Sequence, residues 1–135
     1  MATLRVLLVD DQPSILMLVQ ALLRQTLPAI DVRTAESAQG ALAVLRQEPC
    51  DVVLSDVSMP GESGFFLLEE AKRQWPGLRV ALMSGAPVAQ EARVAGADAF
   101  LSKPFTLEQI HATLRVLTSE GTSPLPLGAH LDILG

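Results

Sequence analysis

Five short strand-like runs, four of them apolar stretches that stop on polar residues, narrow what this chain can fold into more than any other feature. Val6-Leu7-Leu8-Val9 stops at Asp10-Asp11, Val52-Val53-Leu54 at Ser55-Asp56, Val80-Ala81-Leu82-Met83 at Ser84, and Ala99-Phe100-Leu101 at Ser102-Lys103-Pro104. The second run, Ile30 to Thr34, alternates apolar and polar residues. Successive runs start roughly 19–28 residues apart, enough for a strand, a helix and two short loops. The intervening segments have helical spacing. Pro13 to Gln25 puts Leu16, Val19, Leu22 and Leu23 on one stripe, and Pro13 suits a first helical turn. Ser37 to Gln47 carries Ala38, Ala41, Leu42 and Leu45. Gly64 to Gln74 carries Phe65, Leu68 and Ala71, with Glu69, Glu70, Lys72 and Arg73 on the wet side. Thr106 to Leu117 carries Ile110, Leu114 and Leu117, and Thr106 with Gln109 forms a capping-box pattern. Val88 to Ala95 is a shorter, weaker helical segment.

Five β/α units in alternation predict an α/β fold, a doubly wound parallel sheet with helices on both faces. Strands buried on both faces read as unbroken apolar runs, which places the first, third and fourth in the middle. The alternating second and the short fifth belong at the edges. The order 2-1-3-4-5 satisfies this and puts the topological switch point between the first and third strands.

Composition supports a globular domain and removes several classes of function. With 49% hydrophobic and 19% charged residues among 135, the chain can bury a core as one domain. A net charge of -5 argues against a nucleic-acid-binding surface. Cys50 is the single cysteine, so neither an internal disulfide nor a Cys-rich zinc site is available. No apolar run is long enough to span a membrane, and the N-terminal residues do not form a secretory signal. The expectation is a cytoplasmic domain.

The polar residues at the strand ends converge on one edge of that sheet: Asp10, Asp11, Asp56, Ser84 and Lys103. Three carboxylates in one pocket repel one another unless a cation joins them. Mg²⁺ takes carboxylates together with waters and phosphate oxygens. With an ammonium and a hydroxyl beside it, such a site can stabilise a transferring phosphoryl group. A carboxylate can itself be the nucleophile, and Asp56, ending the central strand, is the candidate.

These pieces resemble the receiver domain of two-component response regulators. The resemblance rests on Val9-Asp10-Asp11, Asp56-Val57-Ser58-Met59-Pro60-Gly61 followed by Gly64, Ser84-Gly85, Gly96-Ala97-Asp98-Ala99-Phe100-Leu101 and Lys103-Pro104-Phe105, and covers about residues 4–117. It implies a flavodoxin-like (βα)5 fold, with residues 1–118 as the receiver and 119–135 as a tail without an effector domain. It implies Asp56 as phosphoacceptor, and an Mg²⁺ site made by Asp10, Asp11, Asp56 and the Ser58 backbone carbonyl, with Asp11 a direct ligand and Asp10 acting largely through water. Lys103 would contact a phosphoryl oxygen, and Ser84 and Phe100 would form the switch pair. The Lys103–Pro104 bond is often cis in the family. The implied partners are a sensor histidine kinase or phosphotransfer protein and a downstream protein target, with the chain a monomer or weak homodimer. Two rivals are an aspartyl-phosphate hydrolase, which would want a second acid where Ser58 stands, and a constitutive pseudo-receiver scaffold. A further alternative is a receiver cut from a larger regulator with an output domain.

Two departures from the family pattern stand out. The stretch from Ser84 to Lys103 is about three residues short, close to one helical turn. The fourth helix is therefore expected to start near Val88, to bury Ala92 and Val94 or Ala95, and to follow a Gly85-Ala86-Pro87 loop. The family's common output face, built from the fourth helix, fifth strand and fifth helix, is altered accordingly. Phe100 also stands where a tyrosine is usual, so its signal must be steric. Elsewhere, Cys50 reads as a small buried apolar group, Trp75 as a helix-end packing residue and His111 as an ordinary helical residue. After a turn-rich stretch from Thr118 to Pro124, Leu125, Leu127, Leu131, Ile133 and Leu134 form either a free tail or a segment that docks on the domain, a second copy or a partner.

Overall fold

The computed structural model describes residues 3–118, so the expected 119–135 tail lies outside the described residues. The chain alternates β1 (Leu4–Val9), α1 (Pro13–Thr26), β2 (Ile30–Ala35), α2 (Ala38–Gln47), β3 (Val52–Asp56), α3 (Gly64–Gln74), β4 (Arg79–Ser84), α4 (Ala89–Ala95), β5 (Ala99–Ser102) and α5 (Leu107–Thr118). All strand pairs are parallel, and the order is β2-β1-β3-β4-β5, as the burial pattern of the sequence predicts.

Burial explains that order. β3 is buried along its whole length, as are the last four residues of β1 and the last five of β4, because helices cover both faces there. The edge strand β2 buries only Val32 and Ala35. α2, α3 and α4 pack in sequence on one face, while α1 and α5 lie side by side on the other, joined by a Thr26 Oγ1 to His111 Nε2 hydrogen bond of 2.9 Å.

The helix starts are specified locally. Ser37 Oγ accepts from Gly40 N at 2.9 Å, and Ser63 Oγ accepts from Phe65 N and Phe66 N, each satisfying free donors of a first turn. The capping box of α5 is closed on both sides: Thr106 N donates to Gln109 Oε1 at 2.7 Å and Gln109 N to Thr106 Oγ1 at 3.1 Å. α1 has no side-chain cap and begins on Pro13, which has no N–H to satisfy.

Four expectations need correction. The buried stripe of α3 is Gly64, Leu67, Leu68 and Ala71, and Phe65 is only half-buried, because Gly64 brings the backbone itself against the β3–α3 loop. Lys72 is not on the wet side. Its ammonium donates to Leu78 O at 2.8 Å and to the buried Asp98 Oδ2 at 2.6 Å, which also accepts from Val80 N. α4 buries Ala92 alone; Val94 is 78% exposed and Ala95 is exposed, since a seven-residue helix presents only one inward position here. Cys50 is half-buried rather than buried, lying where β3 has not yet entered the sheet. The short fourth helix itself, with Val88 at its N-cap and a loop over Gly85-Ala86-Pro87, is as the sequence predicts.

Candidate functional site

The register aligns the strand ends. Val9 pairs with Ser55, Asp56 with Met83, and Ser84 with Ser102, so the residues at or just after these positions meet at one edge. Asp10 follows β1 and turns the chain into α1: its Oδ1 accepts from Gln12 N at 2.9 Å, one residue before Pro13. Asp11 follows it, partly exposed. Asp56 is the last residue of β3, and beyond it Val57 N donates to Met83 O at 2.9 Å, which keeps the loop on the sheet. Lys103 follows β5, and its N–H donates to Ser84 O at 2.8 Å, extending the pairing of these strands. The Lys103–Pro104 bond is cis.

The Lys103 ammonium stands between the acids, 3.3 Å from Asp56 Oδ2 and 3.5 Å from Asp10 Oδ2. Carboxylate oxygens of Asp10, Asp11 and Asp56 lie within 4.8 Å of one another. Burial pushes the Asp56 carboxyl above its ordinary range. Lys103 opposes that rise, the Asp10 charge adds to it, and the Ser58 backbone N–H favours the ionised form.

Two observations bear on whether a cation fits. Three carboxylates against one ammonium leave a formal excess of two negative charges, the charge of one divalent ion. Asp10 Oδ2 is buried without a hydrogen bond; the ammonium nearest to it interacts through charge alone at 3.5 Å. An orphaned anionic oxygen is costly unless a further partner takes it. The donor set is all oxygen, as a hard cation such as Mg²⁺ prefers.

The remaining residues named from sequence fall around this cluster. Ser84 is buried at the end of β4, and its Oγ accepts from Ala86 N at 2.9 Å, so the hydroxyl is tied to the loop behind it. Ser58 is exposed in the β3–α3 loop, two residues past Asp56. Phe100 is fully buried in β5 opposite Leu82. Its neighbour Leu101, paired with Met83, is buried as well, so β5 is covered on both faces here.

Gly64 has a role the sequence reading did not assign. A β-carbon there would lie 2.9 Å from Val57 Cα and 3.1 Å from the Asp56 carbonyl carbon. Gly64 N also donates to Val57 O at 2.9 Å. Only glycine lets the first turn of α3 press against the segment that carries Asp56. The Gly61-Glu62-Ser63-Gly64 stretch hints at this in sequence, but its two glycines serve different ends: Gly61 takes a positive φ of 81°, whereas Gly64 serves the close approach.

Known proteins give the geometry a context. The family model described as "Response regulator receiver domain" matches residues 6–115. The chain is 35% identical over 133 residues to the probable transcriptional regulatory protein TcrX of Mycobacterium tuberculosis, covering 95% of this chain and 56% of that protein. It is 32% identical over 125 residues to the transcriptional regulatory protein TcrA of the same organism, covering 90% of this chain and 49% of that one. It thus spans about half the length of these relatives. Among solved structures, the chemotaxis response regulator CheY4 of Vibrio cholerae superposes with a TM-score of 0.78 at 30% identity, covering 86% of this chain and 99% of that one. The response regulator protein TrrA of Thermotoga maritima, solved in complex with Mg²⁺ and BeF, superposes with a TM-score of 0.77 at 26% identity, covering 85% and 99%.

Proposed function

The chain belongs to the response regulator receiver family, and from that premise we propose that it accepts a phosphoryl group on Asp56 and switches protein contacts in response. The observation that carries this reading is the placement of the Asp56 carboxylate at the end of the central strand, 3.3 Å from the Lys103 ammonium and beside Asp10 and Asp11.

In the proposed reaction an Asp56 carboxylate oxygen attacks the phosphorus of a phosphohistidine on a sensor kinase or phosphotransfer protein. The P–N bond breaks as the P–O bond forms, and the electron pair leaves with the imidazole. Lys103 stabilises charge on the phosphoryl oxygens. Asp10, Asp11, Asp56 and the Ser58 carbonyl would hold Mg²⁺, which when bound offsets the negative charge of the acids and the incoming phosphoryl group. Asp10 acts chiefly through its fixed, buried carboxylate, which Gln12 N orients. After transfer, the Ser84 hydroxyl exchanges Ala86 N for a phosphoryl oxygen. That exchange frees the Gly85–Val88 loop and biases a two-state equilibrium to which the buried Phe100 ring contributes by packing.

The output is then a protein contact on the altered α4–β5–α5 face. Because the chain spans about half the length of the transcriptional regulators that it matches, a second reading makes it the receiver part of a longer regulator. Among the described residues no helix is long and apolar enough to cross a membrane.

Incubation with a small phosphodonor and Mg²⁺ tests the reading. Label on Asp56, lost in Asp56→Asn and without Mg²⁺, is the expected result. Multiple turnover of external phosphate esters would favour a hydrolase, and no label at all would leave a scaffold.

A further inference from the structure

β2 is the outer strand of the sheet, and among the described residues no strand pairs with its far side. The register decides which of its backbone groups face outward. Leu4 N donates to Ala29 O and Asp10 N to Ala35 O, so the odd-numbered residues of β2 turn their N–H and C=O toward β1. Ile30, Val32 and Thr34 turn theirs away from the sheet. Such a row is a template for another strand. Here it is closed at its centre. Val32 O accepts from Gln20 Nε2 at 3.5 Å and from Arg24 Nη2 at 3.4 Å, both reaching over from α1. Val32 is 2% exposed beneath them, whereas Thr34 is exposed.

The strand is also complementary to itself. Laid antiparallel about a twofold axis at Val32, two copies set Val32 opposite Val32 and Ile30 opposite Thr34. These are the outward-facing residues, so each pair exchanges N–H···O bonds in both directions. Asp31 then falls opposite Arg33 of the second copy, and Arg33 opposite Asp31, at the narrow pairs where side chains are closest. Sliding the register by two residues sets Arg33 opposite Arg33 one way and Asp31 opposite Asp31 the other, so charge favours the Val32-centred pairing over both neighbours. Within one copy Arg33 already meets Asp31, Nε to Oδ1 at 3.4 Å, and Glu48. Both strand side chains remain partly exposed and can turn to the edge.

We propose that the β2 edge is a self-association surface for a second copy of this chain, joined antiparallel about Val32, and that Gln20 and Arg24 hold it closed. Pairing requires both side chains to leave Val32 O, so the intact chain stays monomeric at concentrations where a chain lacking them pairs. In the joined sheet the two β2 strands run in opposite directions. The two acidic clusters then lie on opposite edges, and pairing leaves each of them open.

Sedimentation velocity over a concentration series tests this on the full chain, with circular dichroism to verify that each variant is folded. Gln20→Ala combined with Arg24→Ala should lower the dimer dissociation constant by about tenfold or more relative to wild type. In that background Thr34→Pro should restore the monomer: its N–H faces the open edge, so the β1 ladder is untouched while the added strand loses a donor. Arg33→Asp should also restore the monomer, by setting acid opposite acid, and adding Asp31→Arg should bring the dimer back. A Gln20→Ala, Arg24→Ala chain with the wild-type dissociation constant overturns the proposal. So does a dimer that survives Thr34→Pro, because it must use another surface. If Arg33→Asp does not fold, the Thr34→Pro variant decides alone.

Discussion

Gly64→Ala is the substitution whose outcome the geometry fixes most tightly. Alanine is the better helix former by up to about 1 kcal/mol, and position 64 opens α3, so propensity alone predicts a gain. Packing predicts the reverse. The added β-carbon would lie 2.9 Å from Val57 Cα and 3.1 Å from the Asp56 carbonyl carbon, and nearer still to the Asp56 carbonyl oxygen. Carbon atoms rest at about 3.5–4.0 Å, so helix and loop must part by roughly 0.6 Å or more. All three neighbours are backbone, and no side-chain rotation relieves the clash. Overpacking of this kind costs about 1–3 kcal/mol. For a domain of this size that lowers the melting temperature by about 5–15 °C. Two other glycines calibrate the measurement. Gly77→Ala meets no atom within 4 Å and should be level or slightly stabilised. Gly61→Ala also meets none but sits at φ +81°, and should cost about 1 kcal/mol. Thermal unfolding of the three variants gives the order, and small-phosphodonor labelling tells whether Gly64→Ala also displaces Asp56. A Gly64→Ala variant that melts with Gly77→Ala would refute the reasoning.

Further outcomes follow from the charges. Burial raises the Asp56 carboxyl above its unfolded value of 3.8, so its contribution to stability is fully present below that pH and is lost as pH rises through the folded value. Asp56→Asn escapes the loss; without Mg²⁺ its melting temperature relative to wild type should climb from acid to neutral pH, and a constant difference would contradict the assignment. Millimolar Mg²⁺ should raise the wild-type melting temperature by binding only the folded state, and Asp11→Ala should remove most of the gain; a flat wild-type response counts against the metal site. Lys103→Ala should reduce labelling from a small phosphodonor, since Lys72, the other lysine, is held by Asp98 and Leu78 O; undiminished labelling would deprive Lys103 of its role.

The strand order was legible because each strand carries its own burial record, from the alternation of Ile30 to Thr34 to the unbroken Val52-Val53-Leu54. The site was legible for a related reason: a parallel sheet sends every strand's C-terminal residue to one edge, so adjacency could be deduced without contacts. What stayed hidden depends on partners distant in sequence. Lys72 looks like a wet helical lysine until Asp98, 26 residues on, is found buried against it. Gly64 looks like turn punctuation until the Asp56 and Val57 backbone is found beneath it. Val94 and Ala95 fit a helical stripe, yet α4 is too short to bury more than Ala92.

The three acids also have a kinetic consequence. Asp10 and Asp11 are separated from Asp56 by α1, β2 and α2, and an unfolded chain keeps them apart. Their mutual repulsion, and any divalent site they form, comes into being when β1 pairs with β3. A cation that binds the cluster is therefore a timer for that pairing. If the two strands are already joined at the folding barrier, added Mg²⁺ accelerates folding; if they join afterwards, it leaves folding unchanged and slows unfolding. Stopped-flow folding and unfolding rates across a Mg²⁺ series would read the order of sheet assembly without a single substitution.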